Sequence, residues 1–96
     1  MEVNFHPGAE VDANEAQQWY AERSAIAARA FLTELITAVD YIAQLPESCP
    51  RYLSGTRRYY FPSFPFTLVY RLEGNIITVV AIAHHRRKPG YWSNRH

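Results

Sequence analysis

The chain has 96 residues, 48% of them hydrophobic and 15% aromatic. That is enough for one modest core but not for two domains, and too apolar for a disordered segment. The net charge of +1 hides a division: up to Ser48 eight acids face only Arg23 and Arg29, whereas from Cys49 onward eight bases face Glu73 alone. Such a split points to an acidic or phosphate-rich partner, or to acidic helices that neutralise a basic sheet. The lone Cys49 excludes an intrachain disulfide and fits a reducing cytoplasm. The start, Met1-Glu2-Val3-Asn4-Phe5-His6, lacks the basic-then-apolar pattern of a secretion signal. The most apolar run, Ile76 to Ala83, is far short of the ~20 residues of a membrane helix. A soluble, cytoplasmic single domain over residues 1–96 is therefore expected.

Val3 and Phe5 alternate with polar neighbours, the pattern of a short strand. Pro7 suits a first helical position, and Glu10, Asp12 and Glu15 favour the positive end of the helix that follows. Its buried stripe is expected to be Ala9, Ala13, Ala16 and Tyr20, with Trp19 alongside. Ser24 is an N-cap candidate for a second helix. There Ala28, Phe31, Leu32, Leu35, Val39 and Ile42 recur at helical spacing, and Leu45-Pro46 stops the ladder. The two helices are expected to form a hairpin with a very short turn.

Pro46 to Gly55 reads as a loop, after which the periodicity becomes strand-like. Arg57 to Phe61 is one expected strand. Phe66 to Leu72 is the next, with Leu68, Tyr70 and Leu72 on one face and Thr67, Val69 and Arg71 on the other. Glu73-Gly74-Asn75 is tight-turn chemistry, and the run to Ala83 pairs back antiparallel. Being apolar on both faces, this last strand belongs at the centre of the sheet. The expected fold is α+β: a short N-terminal strand, a helical hairpin, then a three-stranded antiparallel meander with the helices packed on one face. The other face would carry Arg71, part of the Arg57–Tyr60 strand and the basic tail.

That tail, His84-His85-Arg86-Arg87-Lys88-Pro89-Gly90-Tyr91-Trp92-Ser93-Asn94-Arg95, gathers imidazoles, consecutive cations and large aromatics at the end of the apolar strand. Successive strand residues point to opposite faces, so only one of His84 and His85 can reach a given site. Neighbouring arginines disfavour the protonated imidazole, which helps a base and hinders an acid. Arg86, Arg87 and Lys88, extended by Arg51, Arg57, Arg58, Arg71 and Arg95, suit phosphates or carboxylates. Tyr91 and Trp92 can stack on unpaired bases, or plug the core and dock the tail. The histidines show no metal-ligand spacing and no cysteine pair supports them, so neither metal nor cofactor is expected.

Phe5-His6-Pro7 with Ala9, Trp19-Tyr20, Leu45-Pro46, Phe64-Pro65-Phe66-Thr67-Leu68-Val69-Tyr70-Arg71 and the tail through Trp92 with Arg95 together resemble the RelE/ParE toxin superfamily, in order and across nearly the whole chain. The resemblance implies the toxin of a bacterial type II toxin–antitoxin pair. RelE-like members cut messenger RNA on the ribosome; that role would fall to His84 or His85, Arg86 or Arg87, and Tyr91. Those nucleases commonly carry an arginine before the Leu-Val-Tyr segment, and Thr67 stands there instead. The Phe64-Pro65-Phe66 segment and the long hairpin look more like ParE-like members, which poison DNA gyrase. The expected target- or antitoxin-binding residues are Arg57, Arg58, Arg71, Arg86, Arg87, Lys88, Tyr91, Trp92 and Arg95. The implied partners are a cognate antitoxin, which alone touches operator DNA, and DNA gyrase; the alternatives are ribosome and mRNA, or a member that binds antitoxin and harms nothing. An antitoxin helix and an added strand on an exposed edge would be the mode of binding, within a toxin–antitoxin oligomer.

Overall fold

The computed structural model describes every residue, Met1–His96. Strand β1 (Glu2–Phe5) leads into helices α1 (Pro7–Ala21) and α2 (Ala25–Gln44); β2 (Arg57–Tyr60), β3 (Phe66–Glu73) and β4 (Ile76–His84) follow. Helix starts are capped locally. His6 Nδ1 accepts from Gly8 N–H at 2.9 Å and Ser24 Oγ accepts from Ala27 N–H at 3.1 Å, each satisfying an amide that the helix itself leaves free. Leu45 caps α2 just before Pro46. Gly74 takes φ +61° between β3 and β4, the left-handed conformation that the first residue of a two-residue hairpin needs.

The sheet runs β1-β4-β3-β2. β2, β3 and β4 form the expected antiparallel meander. β1 adds a correction: it joins as a fourth strand, parallel to β4, with Val3 opposite Ile77 and Phe5 opposite Val79. The sheet is therefore mixed. β4 is apolar on both faces and takes a strand on each side, as its composition demands.

The helices cover one face. Their main core joins Phe31, Ala38 and Ile42 of α2 and Ala9 and Ala16 of α1 to Leu68, Tyr70, Ile77, Val79 and Ile82 of the sheet. Phe31 is its hub, stacked on Tyr20 and Phe61 with centroids 5.6 Å away and edge-on to Phe64 at 5.5 Å and Phe66 at 5.2 Å. The helical stripes differ from expectation in detail. Leu32 and Trp19 are exposed, Ala13 is half-buried, and Asp12 lies buried between Ala9 and Ala16. The opposite face is not bare either, because the tail folds back and packs Trp92 onto Val69, Val80 and Ala81.

Truncating Phe31 to alanine removes four ring contacts at the hub. A loss of about 3–5 kcal/mol is expected, read as a fall in urea midpoint with an unchanged slope.

Candidate functional site

β4 carries a bulge. Val69 pairs with Ala81 but Tyr70 pairs with Val79, so Val80 is the extra residue and the facing of later side chains shifts by one. Before it Ile77 and Val79 face the helices; after it Ile82 does, while Val80 and Ala81 both face the tail. The shift decides where the histidines go. His84 continues the helix-side series and lies edge-on to Phe66 at 5.0 Å. His85 turns to the tail side, where its Nε2 shares a hydrogen bond with Thr67 Oγ1 at 3.1 Å and its ring lies 6.0 Å from that of Tyr60. His84 Nδ1 accepts from Arg86 N–H at 3.0 Å. Burial, then the charges of Arg86 and His85, hold its pKa below the ordinary imidazole value, which favours the neutral ring.

The bulge also frees backbone groups. Past Val79 β1 gives way to α1, and β4 has no strand on that side. Asp12 of α1 and Arg95 of the tail supply the missing partners: Ile82 N–H donates to Asp12 Oδ2 at 3.2 Å, and Arg95 Nη1 donates to Val80 C=O at 3.1 Å. The two side chains then pair with each other, Arg95 Nη1 to Asp12 Oδ2 at 2.8 Å and Nη2 to Oδ1 at 3.4 Å. Tyr91 Oη donates to the same Asp12 Oδ2 at 3.0 Å. Burial and the Asp12 carboxylate push the Tyr91 phenol up to about 12. Gly8 is required beside this knot, since a Cβ there would stand 2.5 Å from Arg95 Nε.

The expected site residues therefore divide. Trp92 is a correction: only 1% exposed, it is a plug 5.9 Å from the Tyr52 ring, and no partner reaches it. Arg95 is consumed by Asp12. Arg57 Nη1 donates to the carbonyls of Cys49 at 2.7 Å and Glu47 at 3.0 Å, and Arg71 Nη1 donates to Arg95 C=O at 2.8 Å; both hold the fold. Arg58, Arg86, Arg87 and Lys88 have no carboxylate partner, the ion pairs being Arg23–Glu22 and Arg95–Asp12. Arg87 stacks on Tyr91 at 3.8 Å and Arg58 on Tyr60 at 4.4 Å.

Two depressions flank the end of β4. On the tail side a cleft of about 250 Å³ is lined by Tyr52, Tyr60, Thr67, His85, Lys88 and Tyr91, among others, with no acidic residue. On the helix side a groove of about 700 Å³ has Trp19, Tyr20, Phe66 and Ile82 in its apolar lining and Glu15 and Arg86 among its polar residues. No group of histidine, cysteine and carboxylate side chains suits a metal ion. Sequence reasoning missed Asp12 as an anchor. The available signal was its spacing, three residues after Ala9 and four before Ala16, which puts a carboxylate inside a stripe of buried alanines.

A four-stranded sheet backed by a helical hairpin is a fold already seen among solved structures. A chain of the chromosomal ParDE TA system from P. aeruginosa superposes with a TM-score of 0.63 at 19% identity, covering 88% of this chain and 95% of that one; at that identity the likeness speaks for the fold alone. None of the curated proteins compared with the chain matches it significantly. The family model described as "ParE toxin of type II toxin-antitoxin system, parDE" matches residues 3–89. The chain belongs to the ParE toxin family, and that family implies a cognate antitoxin. No helix is long and apolar enough to cross a membrane.

Replacing Asp12 by alanine leaves the Arg95 charge, the Tyr91 hydroxyl and the Ile82 amide without their acceptor. A loss of about 3–5 kcal/mol is expected, with amide exchange accelerated first in residues 88–95. The raised phenol predicts a second effect. Protonated Tyr91 stabilises the folded chain fully below pH 10, and that contribution is lost as pH rises from 10 to about 12. In Tyr91→Phe, stability measured by urea titration should fall less steeply across that window.

Proposed function

We propose that the chain arrests bacterial growth by binding a topoisomerase, DNA gyrase, through its cationic tail, and that an acidic cognate antitoxin neutralises it by covering the same rim. The observation that carries this reading is the inventory of cations. Arg95, Arg57 and Arg71 are spent on the fold, whereas Arg86, Arg87 and Lys88 stand exposed on a pinned turn with no carboxylate in ion-pair contact. Unpaired like charges on a rigid edge raise the energy of the free protein, and an oppositely charged surface relieves it. The helix-side groove adds an apolar seat beside this rim, suited to one face of an antitoxin helix. An antitoxin so held would also carry the operator-binding function and set the oligomer, in the cytoplasm.

Messenger-RNA cleavage has less support. A nuclease needs a base and an acid aimed at one phosphate, yet His84 packs on Phe66 and His85 bonds Thr67, and the Tyr91 proton is committed to Asp12. Thr67, where a nuclease would carry arginine, brings no cation to the site.

Pulse-labelling after induction tests the reading. DNA synthesis should stop before protein synthesis, with filamentation, and replacement of Arg86, Arg87 and Lys88 together by alanine should restore growth without loss of thermal stability. Early translation arrest would sink the gyrase reading, and unaffected growth would mark a member that only binds its antitoxin. Toxin–antitoxin association should weaken as salt rises.

A further inference from the structure

We infer that the tail-side cleft is a binding site for a single unpaired nucleotide unit of a nucleic-acid strand, its base lying on Tyr60 and its phosphate held by Arg87, Lys88 and the His85–Thr67 pair. This goes beyond contact with a protein target and does not depend on gyrase being that target.

Three observations carry it. The first is planar surface. Tyr60 is 55% exposed although it lies in a strand within hydrogen-bonding register of Thr67, and Tyr52 and Tyr91 line the same cleft. Exposed aromatics gathered around a depression are kept for contacts, and flat faces accept any unpaired base. The second is charge of one sign. Arg87 and Lys88 line the cleft, Arg58 is stacked on Tyr60, one of its lining residues, none has a carboxylate partner, and no acid lines it. The Asp12 carboxylate that touches Tyr91 is occupied by Arg95 from behind. An acidic peptide would satisfy the charges but would leave the aromatic planes without a use.

The third is size and polar placement. About 250 Å³ is below the ~300–1,000 Å³ of sites that enclose a whole small molecule, and fits one base or one sugar–phosphate while the strand continues outside. Within the lining, Thr67 Oγ1 and His85 Nε2 are bonded to each other at 3.1 Å. With the His85 N–H donating, the Thr67 hydroxyl keeps its proton for a phosphate oxygen beside the cations. The Arg58 and Arg87 guanidiniums already lie over rings, so their donors are oriented before a ligand arrives.

A duplex buries its bases and cannot offer this contact, whereas an unpaired DNA or RNA strand can. The test is fluorescence anisotropy of labelled twelve-residue single-stranded DNA, single-stranded RNA and duplex DNA with the full purified chain. Single strands should bind more tightly than duplex, and the better of DNA and RNA identifies the source of the strand. Tyr60→Ala, at an exposed position that does not threaten folding, should weaken single-strand binding roughly 5- to 100-fold. Arg58→Ala should weaken it too, and Arg29→Ala on the far side of α2 should leave it within about twofold. Three results would overturn the inference: no single-strand binding; equal binding of duplex with no effect of Tyr60→Ala, which is general attraction of a polyanion; or displacement by inorganic phosphate at concentrations comparable to the oligonucleotide, which is a bare anion site. Because gyrase is absent from the assay, its failure leaves the growth-arrest reading to stand or fall by pulse-labelling.

Discussion

The buried pair of Asp12 and Arg95 is the constraint on which the functional edge depends. A bulge in a central strand leaves backbone groups that must find partners, and β1, ending opposite Val79, does not reach them. The carboxylate and guanidinium together replace that strand, accepting from Ile82 and donating to Val80. A buried ion pair on its own is weak evidence of stability, because desolvation offsets attraction. Here the charges also satisfy main-chain groups and a phenol, so removing either partner strands several groups at once. The pair joins the first helix to the last residues of the chain, and everything between β4 and Arg95 is held as a closed loop.

That closure explains why the tail can be both cationic and ordered. Its inner side is fixed by Trp92 in the sheet, by Tyr91 on Asp12 and by Arg71 on the Arg95 carbonyl. Its outer side, Arg86 to Lys88, repels itself and is exposed. Left as a free peptide, such a run would spread to separate its charges. Anchored at both ends it cannot, and a partner meets an array that needs no ordering, which lowers the entropy cost of association.

Most of the fold was legible because it rests on local rules. The period of α2, the start of α1 at Pro7, the Ser24 cap, the stop at Pro46 and the Gly74 turn all act within a few residues, and each was found. β1 was read as a strand, but its parallel partner lies more than seventy positions away, so its pairing was not. The site was legible only in composition. The sequence marks the tail as basic and aromatic, yet cannot say that Trp92 is a plug, that Arg57 and Arg71 hold carbonyls, or that Asp12 waits in a stripe of alanines. Those roles depend on distant backbone carbonyls and amides, which leave no mark on residue type.

The bulge makes the same point about the histidines. Simple alternation from Ile77 would send His85, not His84, towards the helices, because Ile77 and Val79 face them. The inserted Val80 reverses that, placing His84 beside the apolar groove and His85 beside Thr67. Both imidazoles border both depressions, but each is held by a different neighbour. The same inserted residue also creates the unpaired backbone that Asp12 and Arg95 fill. One irregularity therefore both anchors the tail and sets how the histidines face, His84 against Phe66 and His85 against Thr67.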